Sequence, residues 1–184
     1  MALIRCRPLA LLLVAVAGCT TPTAITQRET IDDQTGTTVS HLDAPIQLLA
    51  TTPGAPSGDP FAFVAPFETD RMGVREIYLW VAVPGEGAPT PKLVLTLDGE
   101  PLTLAQVSVN PTALGLRTLP YRMPAPWSAV FIYRLDARTL RSLESAHNLT
   151  IGAQYARSGT LIFAGDWDGS GAIAAFRRGI GLAD

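Results

Sequence analysis

Residues 77–83 read Ile-Tyr-Leu-Trp-Val-Ala-Val, a run without a charge. With its polar start included, the segment Val74–Val83 has the length and the β-branched and aromatic content of a strand. Successive side chains of a strand point to opposite faces, so a strand apolar at both parities is covered on both. Any fold for this chain must therefore bury that strand between two layers.

Around it the chain is punctuated rather than continuous. Its sixteen glycines and fifteen prolines are spread along the sequence as turns between short runs. Ile25–Ile31 and Thr37–Ser40 are β-branched, with Asp32–Gly36 as the turn between them. Ile46–Thr51 and the aromatic run Phe61–Phe67 are further strands. Between these two, residues 52–60 hold three prolines and two glycines and cannot continue a ladder. A second Pro/Gly loop spans Pro84–Pro91. Leu93, Leu95 and Leu97 then alternate with Val94 and Thr96, Asp98-Gly99 turns, and Leu102 and Leu104 resume. Asp-Gly between alternating apolar residues is a hairpin with positive φ at the turn. Pro101 donates nothing to a ladder and places the returning strand at an edge.

Ser128–Leu135 reads as another strand, and Asp136 as the cap of a helix from Ala137 to about Ala146. Leu140 and Leu143 face inward on it, Arg138 and Arg141 outward, and Asn148 ends it. Strands Leu149–Tyr155 and Thr160–Ala164 follow, and Ser170 caps a last helix that Gly179 stops. The expected class is mainly β: an antiparallel β-sandwich or rolled sheet with two short C-terminal helices packed at one side.

The first residues have a different character. Arg5 and Arg7 are followed by an uncharged apolar stretch, Leu9 to Gly18, too short to span a bilayer comfortably. It closes on Val16-Ala17-Gly18-Cys19, which resembles the lipobox of bacterial lipoproteins. The resemblance implies a signal peptide over residues 1–18 and acylation of Cys19 as the new N-terminus. Residues 19–24 are then a short tether, and residues 25–184 a single β-rich domain. Thr20 stands where aspartate would favour the inner membrane, so the implied address is the periplasmic face of the outer membrane. Buried acyl methylenes add about 0.8 kcal/mol each, so two or three chains hold essentially irreversibly.

Loss of residues 1–18 removes two arginines and no acid, so 14 basic residues fall to 12 against 16 acidic. Lys92 is the only lysine, and the longest basic run is Arg177-Arg178. Nucleic acid is not expected as a partner, and such a surface offers anionic lipid little. Cys6 leaves with the signal and Cys19 is acylated, so the domain keeps no thiol for a disulfide, a metal or nucleophilic catalysis.

The most suggestive polar cluster is Asp166-Trp167-Asp168-Gly169-Ser170-Gly171. Set against an EF-hand loop, five positions fit, but the twelfth falls on Arg177 where a bidentate glutamate is required. No calcium site is expected, and the cluster reads as a polar strand-to-helix turn. Asp166 and Asp168 lie two apart, on one face of a strand, the arrangement that acid–base work across a cleft would need. His41 and His147 are the only histidines, without a Gly-x-Ser-x-Gly elbow or a zinc-ligand spacing. Trp80 belongs to the core. Trp127, among prolines, is a candidate platform for a sugar or peptide, with Asp166, Trp167 and Asp168 as further binding candidates. No cofactor, metal or catalytic residue is expected. The functional expectation is a lipid-anchored, non-enzymatic binding or assembly accessory whose partner is an envelope protein or polysaccharide. The alternative is an envelope hydrolase using Asp166 and Asp168.

Overall fold

The structure is a computed structural model of the chain and describes residues 25–52, 61–126, 128–164 and 169–182. Its strands are β1 (Gln27–Asp32), β2 (Thr37–Leu42), β3 (Ile46–Ala50), β4 (Phe61–Arg71), β5 (Val74–Val83), β6 (Lys92–Leu97), β7 (Glu100–Leu102), β8 (Ala105–Val107), β9 (Ala129–Leu135), β10 (Leu149–Tyr155) and β11 (Gly159–Ala164). Two helices accompany them: α1 (Ala137–Ser145), between β9 and β10, and α2 (Gly169–Gly179) after β11. Of the two arrangements the pattern allows, the rolled sheet is the one formed. All eleven strands share one strongly curled antiparallel sheet. Its order is β7-β6-β10-β11-β3-β4-β5-β9-β8, with the β1–β2 hairpin branching from β4.

The branch explains an otherwise ill-placed proline. One edge of β4 pairs with β3 through Phe61–Val64 and with β2 through Phe67–Asp70, while its other edge runs along β5. Pro66 sits in the gap between the two partners. Proline is normally excluded from central strands because it lacks an N–H. Here the ladder is interrupted at that point, so no acceptor is left waiting. The gap is bridged by one side chain. The Tyr121 hydroxyl accepts from Leu42 N at 2.9 Å and donates to Pro66 O at 2.6 Å.

Both faces of β5 are covered, as its composition demands. Leu79, Val81 and Val83 join the inner core with Leu95, Phe131, Leu149, Ile151 and Phe163. Leu140 and Leu143 of α1, and Ile173 and Phe176 of α2, fill the same interior. Tyr78, Trp80 and Ala82 face the other way, into a second cluster with Phe67, Ile132, Leu114, Leu116 and Tyr121. The segment 111–121, which opens with a 3-10 turn at Pro111–Leu114, thus roofs the outer side of β2, β4, β5 and β9.

The hairpin forms with positive φ at both turn residues, 49° at Asp98 and 88° at Gly99. β7 with Pro101 ends the sheet path. Asp136 caps α1 through Thr139 N at 2.6 Å. That helix stops at Ser145, three residues before Asn148, and the Asp98 carboxylate accepts from His147 N at 3.0 Å and Asn148 N at 2.8 Å. These bonds turn the chain into β10. α2 begins at Gly169, so Ser170 lies in its first turn and not at its cap. Gly179 is its last residue, and the left-handed position is Gly181, φ 70°. Bonds from Gly181 N to Arg178 O and from Leu182 N to Arg177 O complete a Schellman motif.

Two arginines tie α2 down. Arg177, with side-chain exposure of only 11%, pairs with Glu144 of α1 at 2.5 Å and donates to Leu182 O at 2.8 Å. Arg75 donates to Ile180 O and to the buried Glu68. Burial pushes the Glu68 carboxyl above its usual range, and the Arg75 guanidinium opposes that shift. Closing the loop end of a helix with cations, Arg177 nearly buried and Arg75 exposed, suits the negative end of its dipole.

Candidate binding surfaces

The residues singled out for chemistry, Cys19, Trp127, Asp166, Trp167 and Asp168, all lie outside the described residues. Their surroundings are described in part. Beside position 127, Ala125 and Ser128 close a turn through Ser128 N to Ala125 O at 3.0 Å and Ala125 N to Ser128 Oγ at 3.3 Å. An apolar dimple of about 110 Å³ opens there between Phe61, Phe63, Val83, Pro84 and Pro124. Arg177, the cation at the twelfth EF-hand position, is held in its ion pair on a helix, an arrangement unlike a metal loop. Among the described residues no three His, Cys, Asp or Glu side chains converge as a metal site.

The histidines take separate structural positions. His147 is 94% exposed at its side chain, 3.9 Å from Asp98. His41 lies in β2 with its Nδ1 2.7 Å from Leu42 O and its ring edge-on to Tyr121. A carbonyl only accepts, so Nδ1 carries the proton. His41 also lines a polar groove of about 460 Å³ between the β1–β2 hairpin and residues 117–120. Asp32 stands in that groove, but its oxygens accept from the backbone amides of Arg117, Gln34 and Thr35. The Arg117 amide foremost holds its carboxyl below the usual range, against the opposing effect of desolvation. A carboxylate so occupied organises loops and is poorly placed to take a proton.

A wide opening lies where the sheet stops short of closing. β7 and β8 end the strand path at opposite extremes, yet only Thr103 and Leu104 separate them in sequence. Three Cα steps span at most about 11 Å. The sheet has therefore curled until its two ends meet at this corner. Above the corner a seam remains. β7 covers β6 at Leu95–Leu97, so among the described residues Lys92–Val94 have no strand beside them on that edge. Among the described residues β8 is likewise paired only with β9. The seam holds a groove of about 780 Å³ whose walls include Leu93, Leu104, Gln106, Phe131 and Tyr133. Unpaired strand edges over a partly apolar floor are suited to accept an extended polypeptide.

Sequence reasoning missed this feature because β8 is three residues long and carries no alternation to detect. Its one legible signal was Pro101, which marked an edge. No known family, curated protein or solved structure was found to match this chain.

Proposed function

We propose that the chain is a lipoprotein held at the periplasmic face of the outer membrane through Cys19, and that its β-domain works there by binding. In this reading it is a non-enzymatic accessory to an envelope partner, an extended polypeptide segment foremost, with polysaccharide as the other candidate class. One observation carries the reading: Val16-Ala17-Gly18-Cys19 closes a charged-then-apolar start. The open seam between β6 and β8 supports the binding half. The tether of residues 20–24 reaches some 15–20 Å when extended, which keeps the domain close to the lipid.

Two measurements test the halves separately. Cys19→Ser is expected to abolish labelling by a fatty-acid analogue and to release the protein from the membrane fraction. Retention of both would refute the anchor. Cross-linking in intact envelopes from a photoreactive residue at Gln106, in the seam, is expected to capture a discrete partner. A Gln106 probe that captures nothing, while one at exposed Thr118 captures a partner, would move binding away from the seam.

A further inference from the structure

The half of the sheet formed by β3, β6, β10 and β11 is covered by core on its inner side and lacks the roof that residues 111–121 give β2, β4, β5 and β9. Register places Val94, Gly152 and Ile162 in one row across β6, β10 and β11 on the outer face. Leu49, opposite both Ala164 and Phe61, continues that face on β3. Val94 is 58% exposed, Leu49 53% and Ile162 42%. Four strands about 4.8 Å apart and some six residues long make a face of roughly 300 Å², over which Val94, Leu49 and Ile162 are spread as exposed aliphatic groups.

Its charge is as telling as its apolarity. The other outward positions on these four strands are threonine, glutamine and alanine, with a single ion, Lys92, opposite Gln154. No acid points outward from them, in a chain whose acids outnumber its bases. The tether enters near the start of β3, with Ile25 packed against the inner core. Thr26 is bonded to Asp43 through Thr26 N to Asp43 Oδ1 at 3.0 Å and Asp43 N to Thr26 O at 2.8 Å. Only Ala44 and Pro45 then precede β3. Seven residues of extended chain keep Cys19 within about 25 Å of that entry.

We infer that the outer face of β3, β6, β10 and β11 lies on the phospholipid surface of the membrane that anchors the chain. Aliphatic tips enter the interface, threonine and glutamine groups meet headgroups, and Lys92 meets lipid phosphate with no acid among the outward positions of the four strands. Tethering raises the local concentration of lipid enough for so modest a face to stay engaged. It also points the β5–β9 wall, on the far side of the curl, away from the membrane. This inference rests on the Cys19 anchor.

The test uses the full lipidated protein in vesicles of phosphatidylethanolamine and phosphatidylglycerol. With Cys19 blocked by its acyl group, Ile162→Cys and Ala113→Cys each offer one thiol for an environment-sensitive fluorophore, Ala113 lying on the roof of the opposite wall. Headgroup spin-labelled lipid is expected to quench the label at 162 several-fold more than the label at 113. Equal quenching in protein that floats with the vesicles overturns the inference and leaves the anchor standing. A label at 162 that is shielded in detergent as protein concentration rises, without lipid, assigns the face to a second copy and also overturns it. Protein that neither floats nor takes up a fatty-acid label removes the anchor and this inference together.

Discussion

Tyr121→Phe isolates the device that lets β4 serve two partner strands. The substitution removes one oxygen and leaves the ring, so the contacts with Trp80 at 5.3 Å, His41 at 5.8 Å and Phe67 at 6.5 Å between centroids persist. What is lost is the bridge between Leu42 N and Pro66 O. Leu42 is fully buried, and no ladder bond waits for either group because the pairing changes there from β3 to β2. A buried polar group left without a partner costs about 1–3 kcal/mol, so the variant is expected to lose about 2–4 kcal/mol. For a domain of this size 1 kcal/mol moves the midpoint by about 2–4 °C, giving a fall of roughly 5–15 °C. Urea and thermal unfolding followed by circular dichroism read this directly. Tyr78→Phe is the control. Its hydroxyl donates at 2.7 Å to Glu76, a carboxylate also paired with Arg134 and partly open to water, so its loss is expected to stay under about 1 kcal/mol. A Tyr121→Phe protein within about 1 kcal/mol of the parent at an unchanged denaturant slope would refute the bridging argument.

Leu95→Ala removes a side chain buried in the inner core and is expected to cost about 2–5 kcal/mol; parental stability would mean that β6 does not pack as described. Gly99→Val places a β-branched residue at φ 88° in open space, so strain alone acts, and unfolding is expected to show a loss of about 1–3 kcal/mol. Burial foremost, joined by the Glu76 bond at Tyr78 and the Glu86 charge at Tyr155, pushes both phenols up to about 12, and burial drives Tyr121 higher still. These groups keep their protons in the folded state at pH values where the unfolded chain has lost them. Their contribution is full below the unfolded value near 10 and declines as pH rises through the folded values, by about 1.4 kcal/mol per pH unit per tyrosine. Denaturation at a series of pH values checks this, and a flat profile from about 9 to 11 would contradict it.

Much of the local structure was legible because its causes are local. Strict alternation and an Asp-Gly pair define β6, its turn and β7, since the turn needs positive φ and the strand has period two. Pro101 marked an edge by what it cannot donate. Asp136 capped α1 with its own side chain, and the double-sided apolarity of β5 required the two layers that enclose it. The lipobox resemblance is likewise a property of a short contiguous stretch.

Tertiary structure decided what depends on residues far apart in the chain. Nothing local pairs β10 with β6, some fifty residues apart, or divides one edge of β4 between β2 and β3. Pro66 would argue against a central strand, and only the interrupted ladder with the Tyr121 bridge makes it harmless. α1 ends where its sequence implies, but the turn that leads on into β10 is held from afar: a carboxylate from the β6–β7 turn accepts from His147 N and Asn148 N. The seam between β6 and β8 exists because the sheet curls until its ends meet at Thr103-Leu104. The acid-free outer face appears only when strands from four parts of the chain are set in register. Hydrogen-bonded period and turn geometry are written residue by residue, whereas curvature, closure and surface charge arise from long-range pairing.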